Sequence, residues 1–474
     1  MYTFSNTIYD YIHSRLCMYN YTFIDGQFIL IDRCSGYNMN DENNSSFAQD
    51  VGERGSRVYQ MLHLYDGRNC VNLYHGDGAL PPHPVVRDAL RNISDNIQVW
   101  GETNEIGTSI ELRRYRIPNL MTIPALREAV LNDFAKYMPL DFDQSKVTVH
   151  TASGVTHLVT ALLNNFRKTN SSVMMFTPTY TSFLFSALTV GCNVHLVKPT
   201  SDGMITAEHI ERSLDEHPQI KNIFLLNPNN PTGQYYTKDE LEKIAHLAYT
   251  RDLVIISDEI FHKLVYDEKN PFISLASIKV DGKSMLERTI TLRSVSKDHG
   301  LASLRSGYAI GSNELMNRLS INWFTFGTIF NVDDIAQYVT IAALRYTPDE
   351  YFHAQKDLLR HHRDLVIISI EEINRTAGYE VLKAARPSAG IFQIIDTSSL
   401  RGRQYRGKIL DNDITVYELL LQEEDSRVAI FPASCGGYHA TDMKLRLTIS
   451  SPETDIKLGM KRLNDFIQKL LRCS

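Results

Sequence analysis

From residue 146 onward, short runs of β-branched and apolar residues alternate with longer stretches whose apolar positions recur every three or four residues. The runs are Lys146 to Thr151, Val173 to Thr177, Val194 to Lys198, Asn222 to Leu226, Leu253 to Ser257, Thr289 to Leu292 and Tyr308 to Gly311. Their near-continuous apolar character suits strands covered on both faces. Strands of that kind alternating with helices predict an α/β fold, a mostly parallel seven-stranded sheet between helices. Between the fourth and fifth runs, Thr237 followed by Glu240 reads as a capping box, and Leu241, Ile244, Ala245 and Ala248 form one stripe that should pack on the sheet. After Gly311 the pattern is helical to about Arg375. It then mixes strands (Ile391 to Ile395, Val428 to Phe431, Lys444 to Ile449) with a closing helix bearing Ile456, Met460, Leu463, Ile467 and Leu470, a smaller α+β unit.

The first seventy residues read differently, as aromatic-rich pieces around a polar run, Asn38 to Ser46, whose Asn, Asp and Ser favour turns or disorder. The expected organisation is therefore a partly flexible N-terminal extension over 1–70, a large domain over 71–345 and a small C-terminal domain over 346–474, with 71–115 assignable to either domain. No internal repeat is present.

Composition narrows the function. With 474 residues, 43% hydrophobic and 22% charged, the chain lies in the ordinary globular range and can bury a large core. Forty-nine basic against fifty-five acidic residues leave a formal charge of −6, so no polycationic surface invites nucleic acid or anionic lipid. No apolar stretch approaches the roughly 18 residues of a membrane span, and the N-terminus lacks the pattern of a secretory signal. The expected location is cytoplasmic. The six cysteines (Cys17, Cys34, Cys70, Cys192, Cys435, Cys473) show no C-x-x-C spacing and read as reduced thiols, with no metal expected.

Five polar segments follow the predicted strands: Ser153-Gly154-Val155-Thr156, Pro178-Thr179-Tyr180, Asn227 to Gly233, Ser257-Asp258-Glu259, and Ser294 to Lys297 with Arg305 beyond. Each has a plain structural explanation: a helix cap, turn chemistry, a loop carboxylate, a solvated lysine. Together they fall on the edge where open α/β sheets bind ligands, which points to one shared site.

With those segments in view, the chain resembles the fold-type I pyridoxal-phosphate (PLP) enzymes, specifically the class I and II aminotransferases of the aspartate aminotransferase superfamily. The resemblance runs from about Val71 to the C-terminus and is strongest in NPNNPTG (Asn227 to Gly233), SDEIF (Ser257 to Phe261) and SVSKDHGLASLRSGY (Ser294 to Tyr308). It implies pyridoxal 5'-phosphate as cofactor and amino-acid chemistry at the α-carbon. Lys297 would form the Schiff base and move the proton, because the chemistry needs an amine that can do both. Asp258 would hold the pyridine nitrogen protonated by supplying negative charge. Tyr180 would stack on the ring and Asn230 would donate to the phenolic oxygen. Gly154, Val155, Thr156, Ser294 and Arg305 would hold the phosphate through backbone N–H groups, hydroxyls and a guanidinium. Arg446 would grip the substrate α-carboxylate, with Gly76 and Asn230 beside it. The family also implies a homodimer, in which Tyr115 would reach the neighbouring subunit's phosphate.

Two departures stand out. Where the family commonly carries a tyrosine donor to the cofactor oxygen, this chain has Phe261, and the stretch Met1 to Cys70 is long for the family's N-terminal arm, expected to cover the site or to add a contact surface. His157, His262 and His299 lie near the segments without metal-ligand spacing and read as loop histidines, His299 standing close enough to Lys297 in sequence to assist proton transfer. Transamination is the expected reaction. The same scaffold supports elimination or replacement, decarboxylation and amino-acid oxidation, and Ser296 to Leu301 resembles aminocyclopropane-carboxylate synthases, which perform γ-elimination on S-adenosylmethionine. A non-catalytic regulator on this fold is the remaining alternative; residues 1–70 show neither paired helical periods nor basic clustering for DNA.

Overall fold

The computed structural model describes residues 21–24, 27–30, 50–51, 54–55, 57–62, 69–96, 122–199, 204–267, 270–319, 321–329 and 332–472. The polar run Asn38 to Ser46 and Tyr115 lie outside them. Residues 1–45 and 46–474 form separate compact units. In the first, Tyr21–Ile24 pairs with Gln27–Leu30 as an antiparallel hairpin.

The second unit is built on a seven-stranded sheet: β1 (Val147–Ser153), β2 (Val173–Phe176), β3 (Val194–Val197), β4 (Asn222–Leu226), β5 (Val254–Asp258), β6 (Thr289–Ser294) and β7 (Ser306–Ser312). Their order is β1-β7-β6-β5-β4-β2-β3. Every strand matches an expected run to within two residues. All neighbours pair in parallel except β7, which runs antiparallel to both β6 and β1. The connection 295–305 explains this exception: it holds only the 3-10 turn Ala302–Leu304 before the left-handed Arg305 (φ 53°), and a parallel return needs a longer crossover.

Alternate residues of the buried strands feed two core layers. Phe224, Ile256 and Leu292 pack with Leu158, Leu162 and Phe183, while Ile223, Leu225 and Ile255 pack with Leu241, Ile244 and Ala248 of the helix Lys238–Thr250. The stripe therefore does cover the sheet. Its capping box, however, is only half made: Thr237 Oγ1 accepts from the Glu240 N–H at 3.4 Å, but Glu240 Oε1 accepts from the Ala207 N–H at 2.5 Å and so caps the neighbouring helix Ala207–Glu216. A tertiary donor outcompetes the local one.

The C-terminal part carries a four-stranded antiparallel sheet, Lys383–Ala384, Phe392–Asp396, Lys444–Thr448 and Phe431–Pro432 in that spatial order. The long helix Asp349–Ala377 and the closing helix Glu453–Arg472 share its core through Val366, Ile370, Ile456, Met460, Leu463, Ile467 and Leu470. Val71–Asn72 adds a parallel pair with Val428–Ala429, and Leu73 is buried in the same core. Further upstream, residues 54–55 and 57–62 are helical, and Val58 and Leu62 are buried with Tyr417, Leu421 and Phe431.

Candidate active site

The register of the central sheet brings the polar segments together. Leu226 of β4 and Leu292 of β6 both stand opposite Asp258 at the end of β5, so the asparagine-rich loop, the acid and the Lys297 loop leave three adjacent strands at one level. Ser153 and Ser294 flank the start of β7, opposite Ser306 and Gly307, which sets Gly154 and Arg305 side by side. Strand ends make the site.

Asp258 is buried, and its Oδ1 accepts from the Ile260 N–H at 3.1 Å. No cation partners it among the described residues. Burial pushes its carboxyl up to about 7, with adjacent Glu259 adding and the Ile260 N–H opposing. Glu259, by contrast, is fully committed: it pairs with Arg293 at 2.7 Å, both side chains wholly buried, and accepts from Ser257 and Ser274. Of the two acids, Asp258 is the one available to an added positive charge.

Lys297 is half-buried, and its Nζ donates to the carbonyl oxygen of Gly76. Burial, with Arg305 and Arg446 adding, pulls the ammonium below its ordinary pKa, against Asp77. The loop 76–78 lies tightly over the lysine: a Cβ on Gly78 would come within 2.6 Å of Gly300 Cα and one on Gly76 within 2.5 Å of the Phe392 ring.

Gly154, at φ 83°, precedes the helix Val155–Lys168, whose first N–H groups have no intrahelical acceptor. A Cβ on Gly154 would collide with the Arg305 guanidinium, and one on Gly307 would reach within 2.6 Å of Val155 N. Ser294 Oγ accepts from the Ser296 N–H at 3.1 Å beside this cradle. Such a concavity of N–H groups, hydroxyls and guanidinium suits a phosphate.

Among the three asparagines of the loop, two hold it in shape. Asn227 accepts from the Tyr236 N–H and donates to Ile273 O, while Asn229 accepts from Thr232 and donates to Pro178 O. Asn230 is left with a buried Oδ1 that has no partner among the described residues. Tyr180 opens the helix Thr181–Val190, half-buried, its ring 5.3 Å from Phe183.

Arg446 projects from the small sheet between two aromatic rings, 4.1 Å from the centroid of Phe392 and 4.6 Å from that of Phe431. Its Nη2 donates to Tyr74 O at 3.0 Å, its buried Nε has no partner, and no carboxylate pairs with it among the described residues. A partly buried guanidinium stacked between two rings, with no carboxylate partner there, is prepared for an incoming carboxylate.

Phe261 is buried with Phe392 and Leu73, so no donor stands there. His299 bonds Asp298 at 2.7 Å against the Phe352 ring, His262 packs edge-to-face with Tyr137 and Phe272 with burial lowering its pKa to about 4, and His157 meets Thr328 at 2.9 Å. The sequence reading passed over Phe392 and Phe431, whose role depends on strand pairing with Arg446, and over the Arg293–Glu259 pair, which no spacing announces.

The family model for aminotransferases of class I and II matches residues 70–463. This chain belongs to that family. It is a transferase enzyme, and the elimination, decarboxylation, oxidation and regulator alternatives are not needed to account for it. An aspartate aminotransferase of Bacillus sp. (strain YM-2) is 25% identical over 352 residues, covering 73% of this chain and 82% of that relative. An aspartate/prephenate aminotransferase of Thermus thermophilus is 26% identical over 346 residues, covering 72% and 80%. Among solved structures, the aspartate aminotransferase from Rhizobium meliloti superposes with a TM-score of 0.73 over 91% of this chain and 99% of its own, at 21% identity. The Thermus thermophilus aspartate aminotransferase with maleate gives 0.70 over 89% and 98%, at 22% identity. The fold is that of fold-type I, and members of this aminotransferase family use PLP.

Proposed function

We propose that this aminotransferase holds PLP on Lys297 and transfers the amino group of an α-amino acid to a keto acid. Asp258 carries the reading: a buried carboxylate that no cation among the described residues partners, at the same sheet edge as a depressed lysine, wants the protonated ring nitrogen that PLP brings. The phosphate would rest on Gly154, Val155, Thr156, Ser294 and Arg305, the ring beneath Tyr180, the phenolic oxygen at Asn230. When bound, the cofactor supplies an electron sink for charge developing at the substrate α-carbon.

The chain's own residues do the rest. Arg446 binds the α-carboxylate through its unpaired guanidinium edge, and the Gly76 backbone, kept close by the absence of a side chain, closes over it. Lys297 takes the α-proton on Nζ; its lowered pKa keeps a larger share of the amine free to accept it. Asp258 stays ionised beside the ring nitrogen's positive charge. The rings of Phe392 and Phe431 hold the guanidinium plane in place for the carboxylate.

Two finer readings belong to the same proposal. Two copies assemble as a homodimer, as the family resemblance implies, with Tyr115 serving the neighbouring site; light scattering at working concentration measures this. The enzyme acts in the cytoplasm, where its free thiols Cys70, Cys192 and Cys435 stay reduced. Because the named relatives act on aspartate, aspartate is the first donor to test. Mixed with PLP, a keto-acid acceptor and a panel of L-amino acids, the protein should release the keto acid of at least one donor. Release of none, or of olefinic products alone, contradicts the proposal.

A further inference from the structure

The helical residues 54–55 and 57–62 precede the family match, which starts at residue 70, yet they pack against residues next to the site. Val51 is buried with Val155, Leu158 and Phe183, whereas Val58 and Leu62 are buried with Tyr417 and Phe431. Arg57 pairs with Glu418 at 2.7 Å, and the Tyr417 hydroxyl donates to Val58 O at 3.4 Å. A Cβ on Gly55 would stand 3.1 Å from the Phe185 ring, on the helix that Tyr180 opens. The segment is held by the helix Thr181–Val190 on one side and by Tyr417, Glu418 and Phe431 on the other.

On this segment, Tyr59 shares an aromatic neighbour with Arg446. Its ring centroid lies 5.6 Å from that of Phe431, the same ring that carries the Arg446 guanidinium at 4.6 Å. Arg446 and Tyr180 are both within electrostatic reach of its phenol. Tyr59 is 51% exposed, and its hydroxyl has no hydrogen-bond partner among the described residues. A phenol keeps its proton at neutral pH, so the O–H is a donor there. A phenolic O–H and a guanidinium that no carboxylate among the described residues pairs, both packed near one aromatic ring, suit the two oxygens of a carboxylate.

We propose that Tyr59 is a substrate-binding residue whose hydroxyl donates a hydrogen bond to the carboxylate held by Arg446. The grip then has donors from two distant parts of the chain. This inference rests on the aminotransferase reading of Arg446 given above.

The test compares holoenzyme with Tyr59→Phe, which keeps the ring and removes only the donor. The KM for the amino-acid donor and the inhibition constant of a plain monocarboxylate, propionate, should each rise about tenfold, as expected for one hydrogen bond to a charged group, while kcat stays within threefold and the bound-cofactor absorbance is unchanged. Both constants staying within twofold of wild type overturns the proposal, as does a fall in kcat with KM unchanged. Arg446→Lys separates this from the underlying reading. If it raises both constants while Tyr59→Phe does not, only the Tyr59 inference falls; if it leaves both unchanged, the carboxylate site itself is misplaced.

Discussion

Phe392 lies 4.1 Å beneath the Arg446 guanidinium and is also the ring a side chain on Gly76 would strike. One aromatic residue thus sets both the plane of the arginine and the need for glycine opposite it. The flat geometry suits paired contacts from guanidinium to carboxylate, which a lysine cannot reproduce.

Arg446→Lys should therefore raise KM for the amino donor by roughly 10- to 100-fold, in line with about 1.5–3 kcal/mol for a hydrogen bond to a charged group, while cofactor affinity stays the same. Steady-state kinetics alongside a cofactor titration checks this. A parallel loss of cofactor affinity would mean that Arg446 serves the cofactor instead.

The Asp258 carboxyl gives a pH prediction for the cofactor-free protein. Its folded pKa, about 7, is above its ordinary 3.8, so the folded state favours the neutral acid. That stabilisation is complete below pH 3.8 and is lost as pH rises through 7, by at most about 1.4 kcal/mol per pH unit. Asp413, also pushed up to about 7 by burial, adds the same trend, so the comparison must be with Asp258→Asn. Between pH 4 and 7 the urea midpoint of the wild type should fall relative to that of the variant. Parallel curves would place Asp258 in contact with solvent or a cation.

Arg293 and Glu259 form a pair with no exposed surface, and Arg293 also lies 4.6 Å from the Tyr137 ring centroid. Arg293→Met should cost about 3–5 kcal/mol, because it strands Glu259 as a buried charge, whereas Arg293→Met combined with Glu259→Gln should recover most of that loss. Urea denaturation of the single and double variants measures the difference. Equal losses in both would mean that the arginine's packing, rather than its charge, is what matters.

Much of this was legible in the sequence. The strands at Asn222, Val254 and Thr289 were readable because burial on both faces demands unbroken apolar runs, and Asp258 and Lys297 stood out as polar residues just beyond such runs. The antiparallel β7 was not readable, since its apolar pattern is the same in either direction and only the short loop at 295–305 decides. Glu240 had a local partner on paper and a better one, Ala207, in space. Phe392 and Phe431 became part of the site only through pairing with the strand of Arg446. Tyr59 lies hundreds of residues from Phe431, its ring partner, where spacing carries no signal.

The most direct test is to reduce the protein with borohydride in the presence of PLP and locate the attached group by peptide mass spectrometry. One labelled residue, Lys297, is expected, together with a Lys297→Ala variant that takes up no label and transfers no amino group. Label on a different lysine, or full activity in that variant, would contradict it.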